Sequence, residues 1–169
     1  MCLVIFHFMD GLSIVPVTIS EQYAAISKLM RGLHEHEHIL NDKTAHWDDI
    51  EAGYMRHVIS MQEEGEGLCL IAYIGSEPVG FIFGYLEEQD DSRIEIYMDK
   101  ELYVSDGYVA DEYRRMGIYK QLNERLEQHY INLGVKRINR FTHLNNSRMK
   151  RFMEQQGYVA TRVLYEKWI

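Results

Sequence analysis

The chain has 169 residues, with 18 Lys and Arg against 26 Asp and Glu, a formal charge of −8 and 46% hydrophobic residues. That length suits one domain with a sizeable core, and the apolar fraction excludes a disordered chain. The acidic balance argues against a nucleic-acid partner and favours a cationic one.

Cys2 and Cys69 stand far apart with no CxxC spacing. That fits a reducing compartment and argues against a disulfide framework or a thiolate metal site. The opening run MCLVIFHFM is apolar but too short to span a membrane, and it lacks the basic leader and cleavage site of a signal peptide. Residues 1–11 read as an extra edge strand or as sequence ahead of a start at Met9, and 12–169 as one domain. A cytoplasmic protein with no membrane partner is expected.

In chain order, LSIVPV (Leu12–Val17) reads as a strand. Tyr23, Ile26, Met30 and Leu33 then recur at helical spacing from about Glu21, and Ile50, Tyr54, Val58 and Met61 do so in a second helix. LCLIAYIG and PVGFIFGYLEE are β-branched and aromatic runs joined by GSEP, a hairpin signal. RIEIYMD reads as a short strand or part of a loop. ELYVSDGYVA is strand-like, and Gly107 within it predicts a bulge. Ile118, Leu122, Leu126 and Tyr130, spaced by four with Leu133 closing the stripe, predict a long amphipathic helix that stops at Gly134. VKRINRFTH is the next strand. NNSRMKRFMEQQ is a helix with an Asn cap, closed by Gly157. YVATRVLYEKWI ends the chain as one long strand or two short ones. This order predicts a mixed α/β sheet with helices on its faces.

The chemistry concentrates in YVADEYRRMGIYKQL, Tyr108–Leu122. A helix N-terminus presents free backbone N–H groups and the positive end of the dipole. Gly117 permits close backbone approach, and Arg114, Arg115 and Lys120 add positive charge to an otherwise negative chain. These features describe a pyrophosphate cradle; a solvated basic face is the alternative.

The segment YVSDGYVADEYRRMGI resembles the acetyl-CoA-binding motif of the GNAT superfamily of N-acetyltransferases, with Val109, Tyr113, Arg114, Gly117 and Ile118 in register. NSRMKRFMEQQGY resembles a second motif of that family through Asn146, Phe152, Gly157 and Tyr158. The element order agrees from Leu12 onward. The resemblance implies a GNAT-type fold, a mostly antiparallel sheet with a splayed central strand pair. It also implies an enzyme that moves an acetyl group from acetyl-CoA, as co-substrate, to a primary amine by direct attack in a ternary complex. Backbone from Arg115 through Met116, Gly117, Ile118 and Tyr119 to Lys120, with Arg114 beside it, would hold the pyrophosphate. Tyr108 and Val109 would pair with the pantetheine arm like an added strand, and Asn146 would bond the arm from the other side. No metal is implied. The acceptor would be a small cation or a protein amine.

Three departures from the motifs bear on mechanism. Tyr119 stands where the family has a small residue, and either crowds the loop or points outward. Met153 stands where many members have a tyrosine that protonates the leaving thiolate, and methionine cannot donate. Met149 replaces a small alanine. Tyr158 and Tyr108 are the nearest substitute acids. Asp106 is the candidate base, with bonding to a neighbouring loop amide as the structural alternative; in a regular strand Ser105 would face the other way. A catalytically weak acyl-CoA sensor is the runner-up function.

Other features carry less. In HEHEH, His34 and His38 share a helix face at i and i+4, but no third metal ligand is evident; a solvated or substrate-facing helix end is expected, with Glu35 and Glu37 near the acceptor. Lys136, Arg137 and Arg140 read as charges that keep a strand edge soluble. Arg148, Lys150 and Arg151 read as the polar face of the last helix, one of them within reach of a CoA phosphate. The terminal strand could pair across a homodimer.

Overall fold

A computed structural model describes residues 11–88 and 100–169. RIEIYMD and residues 1–10 lie outside the described residues. The described elements run β1 (Leu12–Val17), α1 (Tyr23–Leu40), α2 (Trp47–Glu64), β2 (Leu68–Ile74), β3 (Glu77–Glu87), β4 (Glu101–Val109), a 3-10 turn (Asp111–Tyr113), α3 (Ile118–Asn132), β5 (Ile138–Asn139) and α4 (Ser147–Gln155). The strands form one sheet in sequence order, antiparallel except for the β4–β5 pair.

The sheet is covered on both faces, which is why β3 reads as an unbroken apolar run rather than an alternating one. Phe81 and Phe83 pack with Ile26 and Met30 of α1 and with Met55 and Val58 of α2. Val79, Ile82 and Leu86 pack with Ile118, Leu122, Leu126 and Tyr130 of α3. The predicted stripe of α3 is thus its buried face, except that Leu133 lies at the helix end and is exposed.

The bulge in β4 falls at Ser105, not at Gly107. Phe83 pairs with Asp106 and Gly84 with Val104, so Ser105 is the extra residue. Parity changes there: Leu102 and Val104 join the α3-side core, whereas Asp106 and Tyr108 take the α1–α2 side, Gly107 and Val109 the α3 side. Gly107 is small for a different reason: a Cβ there would meet the Tyr119 ring at 2.9 Å.

β4 and β5 pair only through Leu102–Ile138 and Tyr103–Asn139. Below this short contact the buried Glu101 carboxylate pairs with Arg137 at 2.9 Å. Beyond it the strands part. The strand expected from VKRINRFTH is therefore only two residues long, and residues 158–169 form no strand.

Tyr130 ties the far end of α3 to the sheet. Its buried hydroxyl donates to the carbonyls of Glu66 at 2.7 Å and Gly84 at 3.0 Å. Tyr130→Phe leaves two carbonyls without this donor and should cost about 1–3 kcal/mol of stability, read as a lowered denaturant midpoint with unchanged slope; an unchanged midpoint would show that these bonds contribute nothing net.

Candidate active site

The opening between β4 and β5 continues into a cavity of about 280 Å³. One end is formed by the loop entering α3. There Arg115 has φ 68° and Gly117 φ 78°. A left-handed arginine is uncommon, and backbone held in this way tends to mark sites where geometry serves a ligand. Gly117 occupies the N-cap of α3, and no side chain caps the first-turn N–H groups. Nothing lies within 4 Å of a Cβ built on Gly117, so glycine is required there by its backbone angle and not by crowding.

Arg114 is pinned under this loop. Its Nε donates to the Val109 carbonyl at 2.9 Å, an Nη pairs with Asp111 at 2.6 Å, and the guanidinium lies 5.2 Å from the centre of the Tyr108 ring. It shapes the turn, leaving Arg115, Lys120, Arg140 and Arg148 as the other cations of the cavity wall. Asn146 caps α4, accepting from Met149 N–H at 3.1 Å, and also lines the cavity.

At the other end α1 presents Leu33, His36 and Glu37, neighbours on one helical face. Burial, with the charge of Asp106 behind it, raises the Glu37 carboxyl to about 7. Burial lowers the His36 imidazole, and the Arg114 charge adds to this. The middle of the cavity runs along Val104, Ser105 and Gly107 on one side and Arg140, Phe141 and Thr142 on the other.

Two comparisons bear on this arrangement. Residues 32–158 match the acetyltransferase (GNAT) family. The chain belongs to that family. No curated protein sequence matches it. Among solved structures, a GCN5-related N-acetyltransferase from Ralstonia eutropha superposes with TM-score 0.76 at 14% identity, covering 94% of this chain and 99% of that one. An aminoglycoside acetyltransferase from an uncultured soil metagenomic sample, in complex with sisomicin, gives 0.66 at 16% identity, covering 95% and 96%. An aminoglycoside N-acetyltransferase in complex with CoA gives 0.66 at 13% identity, covering 93% and 99%. At such identities the structures show the fold, and the GNAT-type mixed sheet expected from the sequence is the fold found.

Within this GNAT domain, Tyr108, Val109, Arg114, Arg115, Gly117, Ile118, Tyr119, Lys120 and Asn146 all border the one cavity, whereas Met116 does not. Asp106 is buried behind the wall and also does not border it. It accepts from the Tyr54 hydroxyl at 2.7 Å and the Ser105 hydroxyl at 2.6 Å. Burial raises its carboxyl, and these two donors and the nearby His34 and His57 oppose the rise. Tyr158 is likewise outside the cavity, its hydroxyl donating to Glu127 and its own ionisation pushed up by burial.

Tyr119 neither blocks the loop nor points to solvent. Its ring turns inward against Gly107 and edge-on to Phe152, with centroids 5.1 Å apart, and its hydroxyl accepts from Arg140. Arg140, which the sequence suggests as a solubilising edge charge, is instead half-buried against α3, and also donates to Asn123 Oδ1 at 2.6 Å. The only hint in sequence is Asn123, a polar side chain beside the apolar stripe of α3.

HEHEH resolves into separate roles. His34 is buried between the rings of Trp47 and Tyr54, 4.8 and 4.7 Å away, so it is neither solvated nor facing substrate. His38 Nδ1 meets the Thr44 carbonyl at 2.9 Å. Glu35 is exposed and outside the cavity wall. Among the described residues no group of three His, Cys, Asp or Glu side chains is placed to hold a metal.

Proposed function

We propose that this GNAT protein transfers an acetyl group from acetyl-CoA to a primary amine of a small cationic acceptor. The observation that carries the reading is the single cavity joining the uncapped N-terminus of α3 to the Glu37 carboxyl through the gap between β4 and β5. The pyrophosphate would sit on the amides after Arg115, where the helix dipole and the local cations favour an anion. The pantetheine arm would run along the unpaired edge of β4 from Val109 toward Ser105, with the Asn146 amide nitrogen opposite. A main-chain amide at the bulge would polarise the thioester carbonyl.

Glu37 is the proton acceptor in this scheme. An amine reaches the site protonated and attacks only once neutral, and a carboxylate titrating near neutrality is matched to take that proton. Asp106, the base expected from sequence, would act through Glu37 instead, as a charge behind it that helps hold its carboxyl near neutrality. As the amine nitrogen bonds to the carbonyl carbon, the carbon–sulfur bond breaks and the thiolate needs a proton. Met153 cannot give one, and Tyr158 is turned away. The Tyr119 hydroxyl, held in the cleft by Arg140, takes this role, and the second proton shed by the acylated nitrogen returns to the tyrosinate. Neighbours that acetylate aminoglycosides, together with the acidic charge, favour a polyamine, aminoglycoside or amino-acid derivative as acceptor.

Free thiol release from acetyl-CoA with a panel of such amines tests the reading: turnover with at least one is expected. Tight CoA binding without turnover would make the protein a sensor, and failure to bind micromolar CoA would exclude both. Glu37→Gln should lower kcat/KM by about 10²–10⁴-fold. The base works only as the anion, so the wild-type rate should fall as pH drops through about 7, and the variant should lose this limb; an unchanged limb would assign the base elsewhere. Tyr119→Phe should lower kcat about tenfold or more with little change in KM for acetyl-CoA, because the ring is kept and the lost hydroxyl bonds Arg140 rather than the anion site. A wild-type kcat would mean that the thiolate leaves unaided.

A further inference from the structure

Two hydroxyls on the cavity wall, those of Ser105 and Tyr119, are fixed in opposite directions. The Tyr119 hydroxyl accepts from Arg140, so its own proton is left for a ligand. Ser105 is the reverse case. Its hydroxyl donates to Asp106 Oδ2 at 2.6 Å, while the Tyr54 hydroxyl donates to Oδ1 of the same carboxylate at 2.7 Å. Both lengths are those of a hydroxyl bonded to an ionised carboxylate, which can only accept. Asp106 is buried, so releasing either donor is costly. A hydroxyl has one proton and two lone pairs, and with its proton committed Ser105 presents only lone pairs to the cavity. The bulge makes this possible. As the extra residue of β4, Ser105 borders the cavity while the next residue turns into the α1–α2 layer.

We propose that Ser105 receives an N–H of the attacking amine and thereby makes the site selective for primary over secondary amines. This deepens the proposed acetyl transfer and rests on it. A primary ammonium has three N–H groups. One proton goes to Glu37, and a second N–H meets Ser105, which holds the nitrogen while its freed lone pair turns to the thioester carbon. The third is the proton shed to the Tyr119 oxygen as the amide forms. An N-methyl acceptor has one N–H fewer. After Glu37 has taken its proton, the last N–H can meet Ser105 or the tyrosinate but not both. One acceptor is then left facing a methyl group, and a site built to bond an N–H rejects the analogue that lacks it.

The test compares a primary amine that turns over with its N-methyl analogue. Wild type should favour the primary amine by at least about tenfold in kcat/KM, and Ser105→Ala should narrow that ratio about tenfold while CoA affinity stays unchanged. A serine that only satisfies Asp106 would lower stability and leave the ratio alone. Asp106→Asn is the second variant, measured at a pH above the Glu37 limb so that its loss of charge does not enter. Tyr54 holds the amide oxygen, so the amide nitrogen faces Ser105 and donates to it. The serine proton is then released toward the cavity, and the ratio should narrow although the serine is still present. A wild-type ratio near one, or an unchanged ratio in either variant that still binds CoA, would overturn the proposal and leave acetyl transfer standing. No turnover of any primary amine by wild type would overturn both.

Discussion

One additional residue in β4 sets out the whole site. Ser105 interrupts the pairing with β3 and reverses which side chains face which layer. Without it Asp106 would share the α3 face with Leu102 and Val104. With it, Asp106 reaches Tyr54 on the α1–α2 side while Gly107 turns to the α3 side and leaves room for the Tyr119 ring. The bulge bends the strand at the height where β4 and β5 stop pairing. β4 thereby keeps backbone groups unpaired along an edge that opens into a cavity rather than into bulk water.

Charge is divided along that cavity in a way the net value hides. Arg115 and Lys120 stand at the loop entering α3, Glu37 on α1 with Asp106 behind it. An acidic protein can therefore carry an arginine pair at the mouth of a helix without contradiction. The pair belongs to an anion site, and only Arg115 of the two is free of the turn's own construction. The opposite end disfavours a second anion and suits a cation.

Much of this was legible in the sequence where local chemistry determines the outcome. The α3 stripe and the Asn cap of α4 follow from residue spacing and residue type, so they could be read directly. The bulge could not: it sits at a serine, which carries no conformational signature, and Gly107 drew the prediction because glycine does. Asp106 was marked as a base because it lies beside the motif, yet whether it faces the cavity depends on parity, which one unsignalled residue inverted. Glu37 titrates near neutrality only because of what packs around it. YVATRVLYEKWI reads as one long strand or two short ones, yet residues 158–169 form no strand, because residue type alone supplies no pairing edge.

Tyr119 shows how a departure from a motif is absorbed. A large ring at the second residue of α3 fits only because Gly107 opposite has no Cβ and because Phe152 gives it an edge to rest on. Its hydroxyl could not be buried alone. Arg140 meets it, Asn123 meets Arg140, and Glu127 takes the protons of both Asn123 and Tyr158. The half-buried guanidinium thus meets acceptors on both Nη groups and through Asn123 reaches a carboxylate, while its Nε has no partner among the described residues. Tyr158, second in the chain to match the family's glycine-aromatic pair, is held at the far end of that chain and is not available to the cavity. The same network that places one tyrosine at the cleft withdraws the other, so the identity of residue 119 and the position of Tyr158 are consequences of one arrangement and not two separate departures.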